Sequence, residues 1–170
     1  IKCLQYWPEM DQTCSFGGID ISIIAVKKFR DYEIRTLIAK KVCSKILRII
    51  KCSCFSHTIL ILFMVSVTVT TYTFFQAKCK SREIQQYHFK AWPDKDVPDN
   101  GWCLVEFLTV VETQSTNAPI IVHCSAGVGR TGTFVALDNL LEQAKYEECV
   151  KPLEMVIALR RQRVNMVQTK

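Results

Sequence analysis

The sequence predicts an α/β (α+β) domain: a twisted mixed β-sheet flanked by helices, with a Cys-x5-Arg loop set between a buried strand and a helix. Three observations point there. Segments with a two-residue hydrophobic period mix with segments of helical period, the mark of combined architecture. Pro119-Ile120-Ile121-Val122 is short, β-branched and uninterrupted, as expected of a strand buried on both faces. Directly after it, His123-Cys124-Ser125-Ala126-Gly127-Val128-Gly129-Arg130-Thr131-Gly132 sets a cysteine and an arginine around a five-residue stretch with two glycines, ahead of a helical pattern.

In chain order, Ile19, Ile21 and Ile23 alternate as in a strand with one buried face. Asp31 to Lys40 is again strand-like, with Tyr32, Ile34, Thr36 and Ile38 on one side. Tyr87, Phe89 and Ala91 repeat the period and run into Trp92-Pro93-Asp94, where proline ends the strand and opens a loop. Pro98, Asp99, Asn100 and Gly101 mark the start of a helix, along which Leu104, Phe107, Leu108 and Val111 keep the i, i+3, i+4, i+7 spacing. A second helix starts at Thr131, with Phe134, Leu137, Leu140, Leu141 and Ala144 on one stripe. The third starts at Pro152, well suited to a first helical position. It carries Leu153, Val156 and Ile157, and gathers Arg160, Arg161 and Arg163 near its end, where the helix dipole favours them.

At 170 residues, 49% of them hydrophobic and 22% charged, the chain fits one globular domain. The net charge of +6 is read as a solvated basic face, and no Lys/Arg run interleaved with aromatics supports nucleic-acid binding. Nine cysteines at irregular spacing form no disulfide framework, so a reducing compartment is expected. Cys52 and Cys54 have no second pair at metal-ligand spacing, so no metal is expected. No signal peptide stands at Ile1, and the start on Ile-Lys-Cys-Leu suggests a piece of something longer. Cys52 to Ala77 lacks Lys, Arg, Asp and Glu and is long enough to span a bilayer, yet a span there would split the domain. The favoured expectation is an insertion over residues 42–80 at a hairpin tip, where added length costs little closure entropy.

The loop from Cys124 to Arg130 is suited to a phosphate dianion. Its backbone N–H groups converge on one point, and the helix N-terminus adds positive potential. Gly127 and Gly129 allow unusual dihedrals and close ligand approach, while Ser125, Ala126 and Val128 complete the cradle. Arg130 supplies a planar fork for two phosphate oxygens. The same field lowers the Cys124 pKa, and the thiolate is the attacking species. His123 is expected to orient and polarise the loop, and the Thr131 hydroxyl to stabilise the sulfur as a leaving group. Asp94, on its proline-constrained loop, can deliver a proton to the departing group. Gln168 can hold the water that attacks a phosphocysteine.

These residues together resemble the tyrosine-specific protein phosphatases, most closely the receptor-type members. His-Cys-x5-Arg-Thr is the strongest signature. Trp92-Pro93-Asp94 matches the family's mobile acid loop. Lys2-Cys3-Leu4-Gln5-Tyr6-Trp7-Pro8 looks like its lead into the central strands, and Leu159 to Thr169 like its final helix and glutamine loop. The resemblance implies a single partial catalytic domain over 1–170, acting on phosphotyrosine-containing proteins without a cofactor. It also implies a cytoplasmic position, with a membrane only by analogy to a receptor parent. Two departures stand out. The family's upstream loop, whose tyrosine sets pocket depth, is expected to be missing. Asp96 replaces the family's usual glycine two positions after the acid, and with the missing loop and the insertion it motivates the alternative of a catalytically impaired pseudophosphatase or a phosphotyrosine-binding module.

Overall fold

The structure, a computed structural model, describes residues 5–41, 68–72, 81–94, 96–114 and 119–169. The first turn is built by Gly17 and Gly18, whose φ values of 56° and 80° make a two-residue hairpin loop that a side chain would strain. It joins β1 (Thr13–Phe16) to β2 (Ile19–Lys28), with Phe16 opposite Ile19. The alternation of isoleucines foretold β2 but not β1, which is largely exposed and has no apolar period. Next come β3 (Tyr32–Lys41), β4 (Thr68–Tyr72) and β5 (Ser81–Phe89). After them follow α1 (Trp102–Gln114), β6 (Ile120–His123), α2 (Arg130–Ala144) and α3 (Pro152–Gln162). The α/β class stands, and every ladder among the described residues is antiparallel, in the order β1-β2-β3-β5-β4-β6.

Lys40 of β3 pairs with Ser81 of β5, so the chain leaves and rejoins the sheet at neighbouring positions. Of the segment 42–80 expected between them, only Thr68–Tyr72 is described, and it lies in the sheet between β5 and β6. The remainder, with most of the apolar stretch from Cys52 to Ala77, lies outside the described residues. Among the described residues no helix is long and apolar enough to cross a membrane.

The strand alternation divides the core. Tyr32, Ile34, Tyr87 and Phe89 project from one face onto Leu104, Phe107, Leu108 and Val111 of α1 and Phe134 of α2. The whole predicted stripe of α1 is therefore buried. On the opposite face Leu37 and Ile84 meet Ile21, Ile23 and Trp7. A third cluster joins Ala136 of α2, Leu159 of α3 and Met166.

On β3, Glu33 and Arg35 are buried on the face opposite Tyr32 and Ile34. A charged pair is tolerated at that depth because the two groups bond to each other and Lys90 joins Glu33. One expectation needs correction, that for β6. Its only ladder among the described residues is with β4, and Ile120 is 42% exposed, so it is an edge strand rather than one buried on both faces. A β-branched run reports that a strand forms, not how many neighbours it has.

Beside the charged pair, His88 sits edge-on to Trp7, with ring centroids 5.3 Å apart. Burial, followed by the Arg35 charge, pulls its pKa from 6.5 to about 4. Between those values the unfolded chain binds a proton that the folded chain refuses. Stability is thus fully present above pH 6.5 and is lost as pH falls. A loss of about 2 kcal/mol is expected between about pH 6.5 and 5. His88→Gln keeps an acceptor for Arg35 and should remove most of that loss. Urea midpoints across the window check it, and equal losses in both proteins would contradict it.

Candidate active site

Strand β6 ends on His123 and releases the chain into a loop that turns at Gly127, where φ is 68°. The loop closes into α2 through bonds from Gly132 N to Val128 O (3.1 Å) and Thr133 N to Gly129 O (2.9 Å). Gly129 at the N-cap has no side chain to occupy the first amides of the helix, which leaves them facing the loop.

Cys124 lies at the focus of this turn, 5% exposed. Burial alone would push its thiol up. The Thr131 hydroxyl, and the amides of Thr131, Gly127 and Val128, outweigh that and hold it below its ordinary value. Thr131 Oγ1 is buried with no hydrogen-bond partner of ordinary geometry, and the group its hydroxyl acts on is the Cys124 sulfur, whose ionised form it favours. His123 is held below its usual pKa by burial, against a smaller opposing pull from the Cys124 backbone. Its Nε2 lies 3.0 Å from the Tyr6 hydroxyl.

Arg130 begins α2 and keeps a side chain only 14% exposed. Burial lowers its pKa, while Asp94 and Cys124 act to raise it. The guanidinium donates to Pro93 O at 2.8 Å, stands 3.7 Å from Asp94 Oδ1 and lies beside the Trp92 ring at 5.8 Å. The acid loop is thus clasped by the same group that faces the cradle. Trp92 Nε1 donates to Asp96 O at 2.9 Å, and the Asp96 carboxylate accepts from Val97 N at 2.8 Å. The side chain that replaces the family's glycine is turned back into its own loop.

Gln168 reaches the loop from the far end of the chain. A side chain at Gly129 would stand 3.3 Å from Gln168 Oε1, so the amide occupies the space that the missing Cβ leaves. The approach is held by Val167 N bonding to Val128 O at 3.0 Å, and by Arg160 bonding to Met166 O (2.9 Å) and Val167 O (2.8 Å). Asn165 and Val167 adopt φ values of 62° and 55°, a costly conformation for a β-branched residue. At Gly132 a Cβ would meet Val167 N at 2.4 Å, so only glycine admits this segment. Arg163 donates to Ala126 O at 3.3 Å.

Cys124, Arg130, Asp94, Thr131, His123 and Gln168 are therefore brought together, with Ser125, Ala126, Gly127, Val128 and Gly129 forming the rim between them. Missed in the sequence were Tyr6, Arg160 and Arg163. The two arginines carried a signal, their clustering at the end of α3, but it was read as a dipole effect rather than as bonds to loop carbonyls. Among the described residues no group of three or more His, Cys, Asp or Glu side chains is arranged to hold a metal ion.

The family profile described as "Protein-tyrosine phosphatase" matches residues 1–170. The human receptor-type tyrosine-protein phosphatase alpha is 35% identical over 99% of this chain, which covers 17% of that relative. The Drosophila melanogaster tyrosine-protein phosphatase Lar is 34% identical over 99% of the chain, covering 7% of its own length. The Rattus norvegicus receptor-type tyrosine-protein phosphatase epsilon is 45% identical over 52% of the chain, covering 13%. The chain thus spans less than a fifth of the length of these relatives.

Proposed function

Because this chain belongs to the protein-tyrosine phosphatase family, matched along its whole length, we propose that it hydrolyses phosphotyrosine on proteins through a phosphocysteine intermediate. One observation carries the reading: a sulfur favoured in its ionised form by converging amides, beside a guanidinium that also holds the acid loop. The Cys124 thiolate attacks phosphorus, and the S–P bond forms as the bond to the tyrosine oxygen breaks. Loop amides and Arg130 take up the phosphoryl oxygens, and Asp94 gives its proton to the departing phenolate. Water positioned by Gln168 then attacks phosphorus while the Asp94 carboxylate takes its proton. The sulfur leaves as thiolate, stabilised by Thr131, and inorganic phosphate is released. His123 orients the loop. These steps use only groups of the chain and water.

Residues 42–80 are taken as an insertion between β3 and β5 that departs at the hairpin tip and contributes β4 to the sheet beyond β5. The receptor-type names of the relatives support placing the chain as a catalytic part, on the cytoplasmic side, of a longer membrane-anchored parent. Phosphotyrosine-containing proteins are its partners.

Release of phosphate from a phosphotyrosine peptide, measured with a chelator present, tests the reading. Asp94→Ala is expected to lower kcat by about 10²–10³-fold with little change in KM. An equal loss of binding and rate would remove Asp94 from the role of acid. Tight peptide binding by the unaltered chain with no phosphate release would return the non-catalytic alternative.

A further inference from the structure

On the sheet face away from α1 and α2, a line of hydrogen bonds runs from the surface to the residue before Cys124. Lys90 Nζ donates to Glu33 Oε1 at 2.6 Å, and Glu33 pairs with Arg35. Arg35 lies over the Trp7 ring at 4.5 Å and donates through Nη1 to Gln86 Oε1 and to His88 Nδ1, each at 3.1 Å. Gln86, directly opposite Arg35 in the β3–β5 ladder and 1% exposed, donates through Nε2 to the Tyr6 hydroxyl at 2.9 Å. Tyr6 then meets His123 Nε2.

This line has a direction. A guanidinium only donates, so the end of Gln86 that faces it is the carbonyl oxygen, and the amide nitrogen faces Tyr6. The phenol oxygen receives that N–H, which favours turning its own proton toward His123. Nε2 is then the acceptor, and a neutral imidazole carries its hydrogen on Nδ1. Burial favours the neutral ring. Nδ1 itself is buried without a conventional partner, and the polar group acting on the ring from beyond it is the Cys124 backbone.

We propose that Gln86 is a positioning residue for the nucleophile: fixed by Arg35, it dictates through Tyr6 that His123 turns an N–H dipole, not a lone pair, toward the backbone holding Cys124. The inference rests on the reading of Cys124 as nucleophile. Among the described residues, the charged or titratable groups acting on the line are Glu33 and Arg35 on β3, His88 on β5, Lys90 just beyond it, and Tyr6 and Glu9 on the N-terminal segment. His88, brought down to about 4 by burial and then by Arg35, is neutral where the thiolate is read.

The first test needs no variant. Nitrogen-15 NMR of the unaltered protein should show His123 with its proton on Nδ1, and a proton on Nε2 overturns the proposal. Gln86→Glu is nearly isosteric but offers Tyr6 only acceptors, so it should reverse the phenol proton and move the His123 proton to Nε2. Alkylation of Cys124 by iodoacetamide at about pH 6 should then slow about three- to tenfold, with circular dichroism unchanged. Tyr6→Phe, which removes the proton donor, should slow it similarly. If both folded variants give alkylation profiles that superimpose on the parent's, the relay is wrong. Fast alkylation of the parent in the same experiment leaves the nucleophile assignment standing. If neither variant folds, the parent's tautomer decides.

Discussion

Cys124→Ser is expected to reduce phosphotyrosine hydrolysis by about 10⁴-fold or more. A serine hydroxyl at the same point is not ionised near neutral pH, and the bonds that lower the thiol cannot bring it into range. The amides of Gly127, Val128 and Thr131 stay in place, because their direction is set by the loop and by α2 rather than by the sulfur. Binding of a phosphotyrosine peptide should therefore persist while turnover vanishes. Stopped-flow phosphate release with calorimetric binding separates the two. Turnover within about tenfold of the parent would mean that no S–P bond lies on the path.

Arg130→Lys should cost about 10²–10⁴-fold in kcat/KM, with kcat and KM both affected. A lysine offers one ammonium in place of a fork, so it cannot grip two phosphoryl oxygens. The structure adds a second loss. The Arg130 guanidinium holds Pro93 O at 2.8 Å and stands close to Asp94, so shortening the contact also releases the acid loop. A raised KM with kcat equal to the parent's would show that Arg130 binds phosphate only and does not govern the acid. The melting temperature serves as the control, since the side chain is largely buried.

Much of this site was legible because its parts lie close in sequence or carry strong local signals. The loop from His123 to Gly132 is contiguous, and the turn at Gly127 follows from glycine alone. Helix α1 was readable because one stripe, Leu104, Phe107, Leu108 and Val111, forms its buried face. What escaped depends on partners far away in the chain. Glu33 and Arg35 look like a solvent face until Gln86, His88 and Lys90 are brought beside them across β3 and β5. Strand β6 reads as buried on both faces, yet its one described neighbour, β4, comes from the Val/Thr/Tyr/Phe part of the long apolar segment, where a strand is legible but its place in the sheet is not. The place of Gln168 hangs on a left-handed Val167, a conformation no propensity would assign to valine, held by Arg160 and by the absence of a side chain at Gly132. Asp96 shows the reverse case. It looked like an obstacle to the acid loop, and in the fold its carboxylate accepts from Val97 N.

The measurement that bears most directly on all of this is the pH dependence of Cys124 alkylation, read by mass spectrometry so that the nine cysteines are distinguished. The account predicts an inflection below the ordinary thiol value of about 8.5, and a rate that falls when phosphate fills the cradle. Titration of residue 124 like a free thiol, with no protection by phosphate, would contradict it.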